Sequence, residues 1–177
     1  MASYNFGNYG PYKLERKGGV TADDLNECLS TVEEEAATLL DAIGVYIFAV
    51  KSTKNSKLKP WYVGKTDKGF RKRLTTHQRS GTIFGDIAKK APNGHLYVLL
   101  IPRLTPGNKF RKSAKKTLGS INSLEDALIG SCLQVNPKLA NASKTRFFRN
   151  LSVPGYLHSG KIKKSETGAL VLKELLG

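Results

Sequence analysis

The stretch from Gly44 to His77 constrains this chain more than any other. Gly44-Val45-Tyr46-Ile47-Phe48-Ala49-Val50 is apolar on both faces of an extended chain, which predicts a central strand of a sheet. A polar loop carrying Lys51, Lys54 and Lys57 follows, and Pro60 opens a second short run, Trp61-Tyr62-Val63-Gly64. Phe70, Leu74 and His77 then recur at helical spacing until Gly81 stops the pattern. The local order is strand, loop, strand, turn, helix. It gathers two tyrosines, an arginine and a histidine, with Arg73 and His77 one helical turn apart.

The flanks are less informative. Residues 1–19, rich in Gly, Tyr and Asn, have no apolar periodicity and read as a flexible arm. Residues 20–43 hold a helix over about 21–41, capped by Thr21 and Asp24 and packed on the domain. His95 to Ile101 reads as a third strand. Ser123 to Val135 reads as a helix with a Ser123–Asp126 capping box and a stripe of Leu124, Ala127, Leu128, Cys132 and Val135. Residues 142–177 form a basic extension with a short terminal helix over 167–176. Cys28 and Cys132 read as buried thiols, and neither they nor the three histidines have zinc-ligand spacing. No apolar run approaches the roughly 18 residues that span a bilayer, and the start of the chain lacks the pattern of a signal peptide. A cytoplasmic protein without membrane contact is the expectation.

Charge is divided along the chain. Residues 1–43 carry three basic side chains against eight carboxylates, a net of −5, and residues 44–177 carry 26 against six, a net of +20. A field of that sign attracts polyanions, nucleic acid first among them. Lys109, Arg111, Lys112, Lys115 and Lys116 make the Arg103 to Lys116 stretch the densest candidate for phosphate contact, with Lys65, Arg71 and Lys72 as further candidates.

Hydrolysis of a phosphodiester needs a cation near the oxygens that gain charge, a carboxylate to hold it, a base for water and a positive side chain at the phosphoryl group. Of the six carboxylates in the basic part, Glu125 has apolar neighbours Leu128, Ile129 and Cys132 beside its helical face. It reads either as a magnesium ligand or as a first-turn acid complementing the helix dipole.

These residues resemble the GIY-YIG nuclease family, standalone single-domain type. Gly44-Val45-Tyr46 is similar to the first of the two motifs that name it, and Tyr62-Val63-Gly64 to the second. Arg73 with His77 is similar to the arginine and histidine of the following helix, Glu125 to the metal-binding glutamate, and Asn141 to an asparagine that follows a proline. The resemblance covers residues 44–141, the catalytic core. It implies an α/β (α+β) domain with a small three-stranded antiparallel sheet flanked by helices, the site lying on one sheet face. It also implies an endonuclease, a DNA-binding hydrolase acting with one Mg²⁺ or Mn²⁺. Glu125 would hold the metal and Tyr46 or Tyr62 would take the proton of water, with tyrosinate favoured by the basic surroundings. Arg73 would neutralise phosphoryl charge, His77 would orient the tyrosine or the phosphate, and Asn141 would support the site. Arg71 rivals Arg73 because one extra residue follows the second motif, and Asn136 rivals Asn141. Cutting both strands with one site per chain favours a homodimer. A catalytically silent nucleic-acid-binding module is the alternative, and a basic RNA-binding protein a third.

Overall fold

The computed structural model describes residues 5–16, 19–53, 55–113 and 118–141, with 145, 170, 171, 174 and 175 beyond them. In chain order the elements are β1 (Tyr9–Leu14), α1 (Ala22–Glu35), a 3₁₀ turn (Leu39–Asp41), β2 (Gly44–Lys51) and β3 (Lys59–Thr66). They continue with α2 (Phe70–Ser80), α3 (Thr82–Lys90), β4 (His95–Pro102) and α4 (Leu118–Val135). Mixed helix and strand agree with the α+β class. The sheet, however, has four strands rather than three, in the order β1-β4-β2-β3, and every neighbouring pair is antiparallel.

The added strand comes from the segment expected to be a flexible arm. Only Tyr12 and Leu14 of β1 are fully buried, and its Pro11 suits an edge, where a missing N–H faces no partner. Two inward residues are too few to produce a period-two signal. Arg16, just beyond, ties the segment down by donating to the carbonyls of Ala91, Asn93 and Gly94.

The capping box of α1 forms as read: Asp24 N–H donates to Thr21 Oγ1, and Thr21 N–H donates back to Asp24 Oδ2. The helix ends at Glu35, short of Asp41, where Glu33-Glu34-Glu35 oppose the negative end of the dipole. Leu39 and Leu40 reach the core from the 3₁₀ turn instead. Helix α3, which sequence reasoning missed, buries only Phe84 and Ile87. At its other boundary α4 starts five residues ahead of Ser123, so the expected cap there does not exist, and Ser123 Oγ donates to Gly119 O inside the helix.

Strand β2 is central, as its two apolar faces require. Tyr46, Phe48 and Val50 enter a core with α1, α2 and α3, while Val45 and Ile47 enter a second core with Ile121, Ile129, Cys132 and Leu133 of α4. Helices α2 and α4 therefore lie on opposite faces of the sheet. Gly44 sits where β2 presses closest to β4: a Cβ there would lie 2.2 Å from Ile101 O. Among the described residues, no helix is long and apolar enough to cross a membrane. Leu170, Val171, Glu174 and Leu175 are helical, as expected for the terminal segment, but the rest of 142–177 lies outside the described residues.

Candidate active site

Strand alternation points Tyr46 into the α2 layer, among Phe48, Phe70 and His77 with ring centroids 5.4, 6.5 and 5.7 Å away. Its phenol is fully buried and meets three polar partners, His77, Arg73 and the hydroxyl of Tyr62. Tyr46 Oη and His77 Nε2 share a hydrogen bond at 2.5 Å, and Arg73 Nε donates to Tyr46 Oη at 3.2 Å. Gly64, on the neighbouring strand, leaves the space for that oxygen, since a Cβ on it would lie 2.2 Å from Tyr46 Oη. Tyr62 stays half-buried, stacked on Phe48 and edge-on to His77.

Burial, with the Tyr62 hydroxyl second, raises the Tyr46 phenol above its ordinary value and outweighs the opposing pull of Arg73. At rest it is a neutral phenol, where tyrosinate was the expectation. Burial, with Arg73 second, lowers His77 to about 4, so at neutral pH its imidazole is uncharged and Nε2 can accept a proton. The unfolded chain binds a proton near pH 6.5 that the folded chain refuses until about 4. This contribution to stability is complete above pH 6.5 and lost progressively as pH falls toward 4, by about 3 kcal/mol at most. Urea melts of wild type and His77→Gln between pH 7 and 4 should show a shallower decline in the variant.

Glu125 comes from the opposite face. It lies on the buried stripe of α4 with Ile121 and Ile129, and is 7% exposed. Lys65, outward on β3, reaches it: Nζ is 3.1 Å from Glu125 Oε2 and donates to Asn122 Oδ1 at 2.6 Å. A cleft of about 440 Å³ opens at the C-terminal end of β3, lined by Lys65, Thr66, Asp67, Arg73, Ile121, Asn122 and Glu125 among others. A neighbouring pocket of about 320 Å³ shares Lys65, Thr66, Asp67 and Arg73 with it and adds Lys68, Lys72 and Thr76. The expectation was a site on one sheet face, and the cleft is instead lined from both. Arg73 from one layer and Glu125 from the other meet at the end of the edge strand.

The donor set fits a hard divalent cation that keeps much of its water. Among the described residues, no three His, Cys, Asp or Glu side chains cluster to hold a metal. Mg²⁺, however, is commonly held by one or two carboxylates together with substrate phosphate oxygens. Glu125 and the amide oxygen of Asn122 converge on Lys65 Nζ in the cleft, whose lining also holds the Asp67 carboxylate. Asn122 escaped sequence reasoning, although its position three residues before Glu125 places it on the same helical face.

The rival arginines separate, and the rival asparagines do not. Arg71 is exposed and paired with Glu33 of α1, which also shows that the acidic face of α1 is not simply solvated. Arg73 alone of the two lines the cleft. Asn141 and Asn136 both clamp the outer edge of β3, away from the cleft. Val63 N–H donates to Asn141 Oδ1 at 2.9 Å, Asn141 Nδ2 donates to Val63 O at 2.6 Å, and Asn136 Nδ2 donates to Pro60 O at 2.7 Å. Asn141→Ala should leave two buried backbone groups of the motif strand unpaired and cost about 2–4 kcal/mol in a urea melt.

Of the other basic candidates, Lys72 lines the neighbouring pocket and Lys112 pairs with Asp41. Lys109 is exposed on a hairpin closed by the bridge of Leu104 and Phe110, and Arg111 is half-buried, its main chain bonded to Ile43 and Arg103. Arg103 itself is buried, over the ring of Phe6 and bonded to Ser120. Lys115 and Lys116 lie outside the described residues.

Comparison of this chain with protein-family models, with curated proteins and with solved structures gave no match.

Proposed function

We propose that this chain is a GIY-YIG-like endonuclease that hydrolyses a DNA strand in the cleft between Arg73 and Glu125, with one bound Mg²⁺ or Mn²⁺. The single observation that carries this reading is Arg73. It lines the cleft opposite a buried carboxylate and, through Nε, touches the phenol whose proton His77 can receive.

In this reading a phosphate enters beside Arg73, Lys65 and Lys72. As the guanidinium turns to the phosphate, Tyr46 Oη loses its cover on the cleft side. Water attacks phosphorus and gives its proton to Tyr46 Oη while Tyr46 passes its own to His77 Nε2. The bond from phosphorus to the 3′ oxygen breaks, and that oxygen leaves with a proton from solvent. A relay of this kind needs no free tyrosinate, which the burial of Tyr46 opposes, and the imidazolium that it forms on His77 is eased as the Arg73 charge turns from it to the phosphate. Glu125, with Asn122 beside it, would hold the divalent cation, whose charge stabilises the phosphate oxygens and the leaving oxygen. Arg73 faces both tyrosine hydroxyls, and Tyr46 is favoured over Tyr62 as the base because its Oη also meets His77 Nε2.

A nucleic-acid-binding module without turnover is a second reading, favoured by the full burial of Tyr46 and by the Lys65 ammonium already resting on Glu125. Incubation with supercoiled plasmid, branched and single-stranded DNA plus Mg²⁺ or Mn²⁺ separates the two. The nuclease reading expects metal-dependent nicking by wild type and a loss of at least about a thousandfold in Glu125→Ala. Equal absence of cleavage in both, with salt-dependent binding retained, supports the silent module.

A further inference from the structure

Lys65 is the best-held cation in the cleft. Its Nζ rests on two oxygens of α4, Asn122 Oδ1 at 2.6 Å and Glu125 Oε2 at 3.1 Å. Asn122 and Glu125 are three residues apart and so share a helical face, and they converge on one point. The Glu125 side chain is 9% exposed and the Lys65 side chain 35%, so the carboxylate is fixed while the lysine retains a path out. The Arg73–Tyr46–His77 chain makes no use of Asn122. A hard divalent cation seeks the same oxygens with twice the charge, and both cations cannot occupy one point. The lysine also lines the adjoining pocket with Asp67, Lys68, Lys72 and Thr76.

We infer that Asn122 is a second protein oxygen of the cation site and that Lys65 holds this site closed until a divalent cation displaces it. The inference rests on the reading of Glu125 as the metal ligand. Displacement couples the two events a strand-cleaving site must coordinate. Arrival of the metal frees an ammonium for phosphate, and loss of the metal returns it to Glu125.

The test is Mn²⁺ binding to the full chain without DNA, followed by electron paramagnetic resonance of the free ion. Lys65→Met keeps the stem and removes the competing charge, and should tighten binding by about tenfold or more. Lys65→Arg keeps the charge and should bind no tighter than wild type, which separates loss of charge from loss of packing. Asn122→Ala should weaken binding by about fivefold. Independently, Mg²⁺ should speed chemical modification of the Lys65 amine in wild type, read by mass spectrometry, and should not do so in Glu125→Ala. Unchanged or weaker binding by Lys65→Met, wild-type binding by Asn122→Ala, or Lys65 modification indifferent to Mg²⁺ overturns the inference. If Glu125→Ala loses Mn²⁺ while Lys65→Met is unchanged, only this inference falls. If Glu125→Ala binds as wild type does, the assignment of Glu125 falls with it.

Discussion

Gly64→Ala should be among the most damaging single-methyl changes available in this protein. The added Cβ would lie 2.2 Å from Tyr46 Oη and 2.3 Å from Tyr46 Cζ, well inside any contact that real atoms make. Relief would have to come from Tyr46, and Tyr46 is fully buried, packed by Phe48, Phe70 and His77 and bonded to His77 and Arg73. Overpacking a well-filled core costs about 1–3 kcal/mol, and a clash this deep belongs at or above the top of that range. A thermal melt should fall by about 6–12 °C. Gly85→Ala in α3 is the control, because a Cβ there meets nothing within 4 Å, and it should be neutral or slightly stabilising. Under the nuclease reading Gly64→Ala also loses cleavage, since any shift that relieves the clash pulls Tyr46 Oη away from His77. Melting within about 2 °C of wild type would show that the close approach of β3 to Tyr46 is wrong.

That glycine also marks what a sequence can and cannot disclose. The strands β2, β3 and β4 and helix α2 were legible because apolar residues are dense and periodic there. β2 was correctly placed in the middle because both of its faces are apolar. β1 was not legible: an edge strand with two inward residues and a proline resembles a loop until a partner strand supplies its hydrogen bonds. α1 was overextended because Leu39 and Leu40 continue the apolar spacing, whereas three glutamates at the C-terminal end stop the helix. In the candidate site, the residue types were legible but their geometry was not. Arg71 and Arg73 differ by two positions on one helix, and only the packing of α1 against α2 turns the first toward Glu33 and leaves the second for the cleft. Asn122 carries no signal by itself, because an amide on a helix face gains meaning only from what stands opposite, here Lys65.

Arg73→Ala and Arg71→Ala should therefore part sharply. Arg73 is partly buried, lines both the cleft and its neighbouring pocket, and donates through Nε to the proposed base. Removing a preorganised donor from the place where charge develops costs about a hundred- to a thousandfold in turnover. Here the same change also strips Tyr46 Oη of its donor. Arg73→Ala should thus lose at least about a thousandfold in cleavage while DNA affinity, carried by several lysines, falls only modestly. Arg73→Lys restores charge without the planar fork and should recover only part of the rate. Arg71→Ala breaks an exposed ion pair with Glu33, an interaction of a kind that contributes about 0–1 kcal/mol, and should cleave much as wild type does. Single-turnover cleavage at saturating protein, which separates turnover from binding, is the measurement that checks both. Equal rates for the two alanine variants would mean that the Arg73–Tyr46 bond plays no part in the chemistry, and the proton path through His77 would have to be abandoned with it.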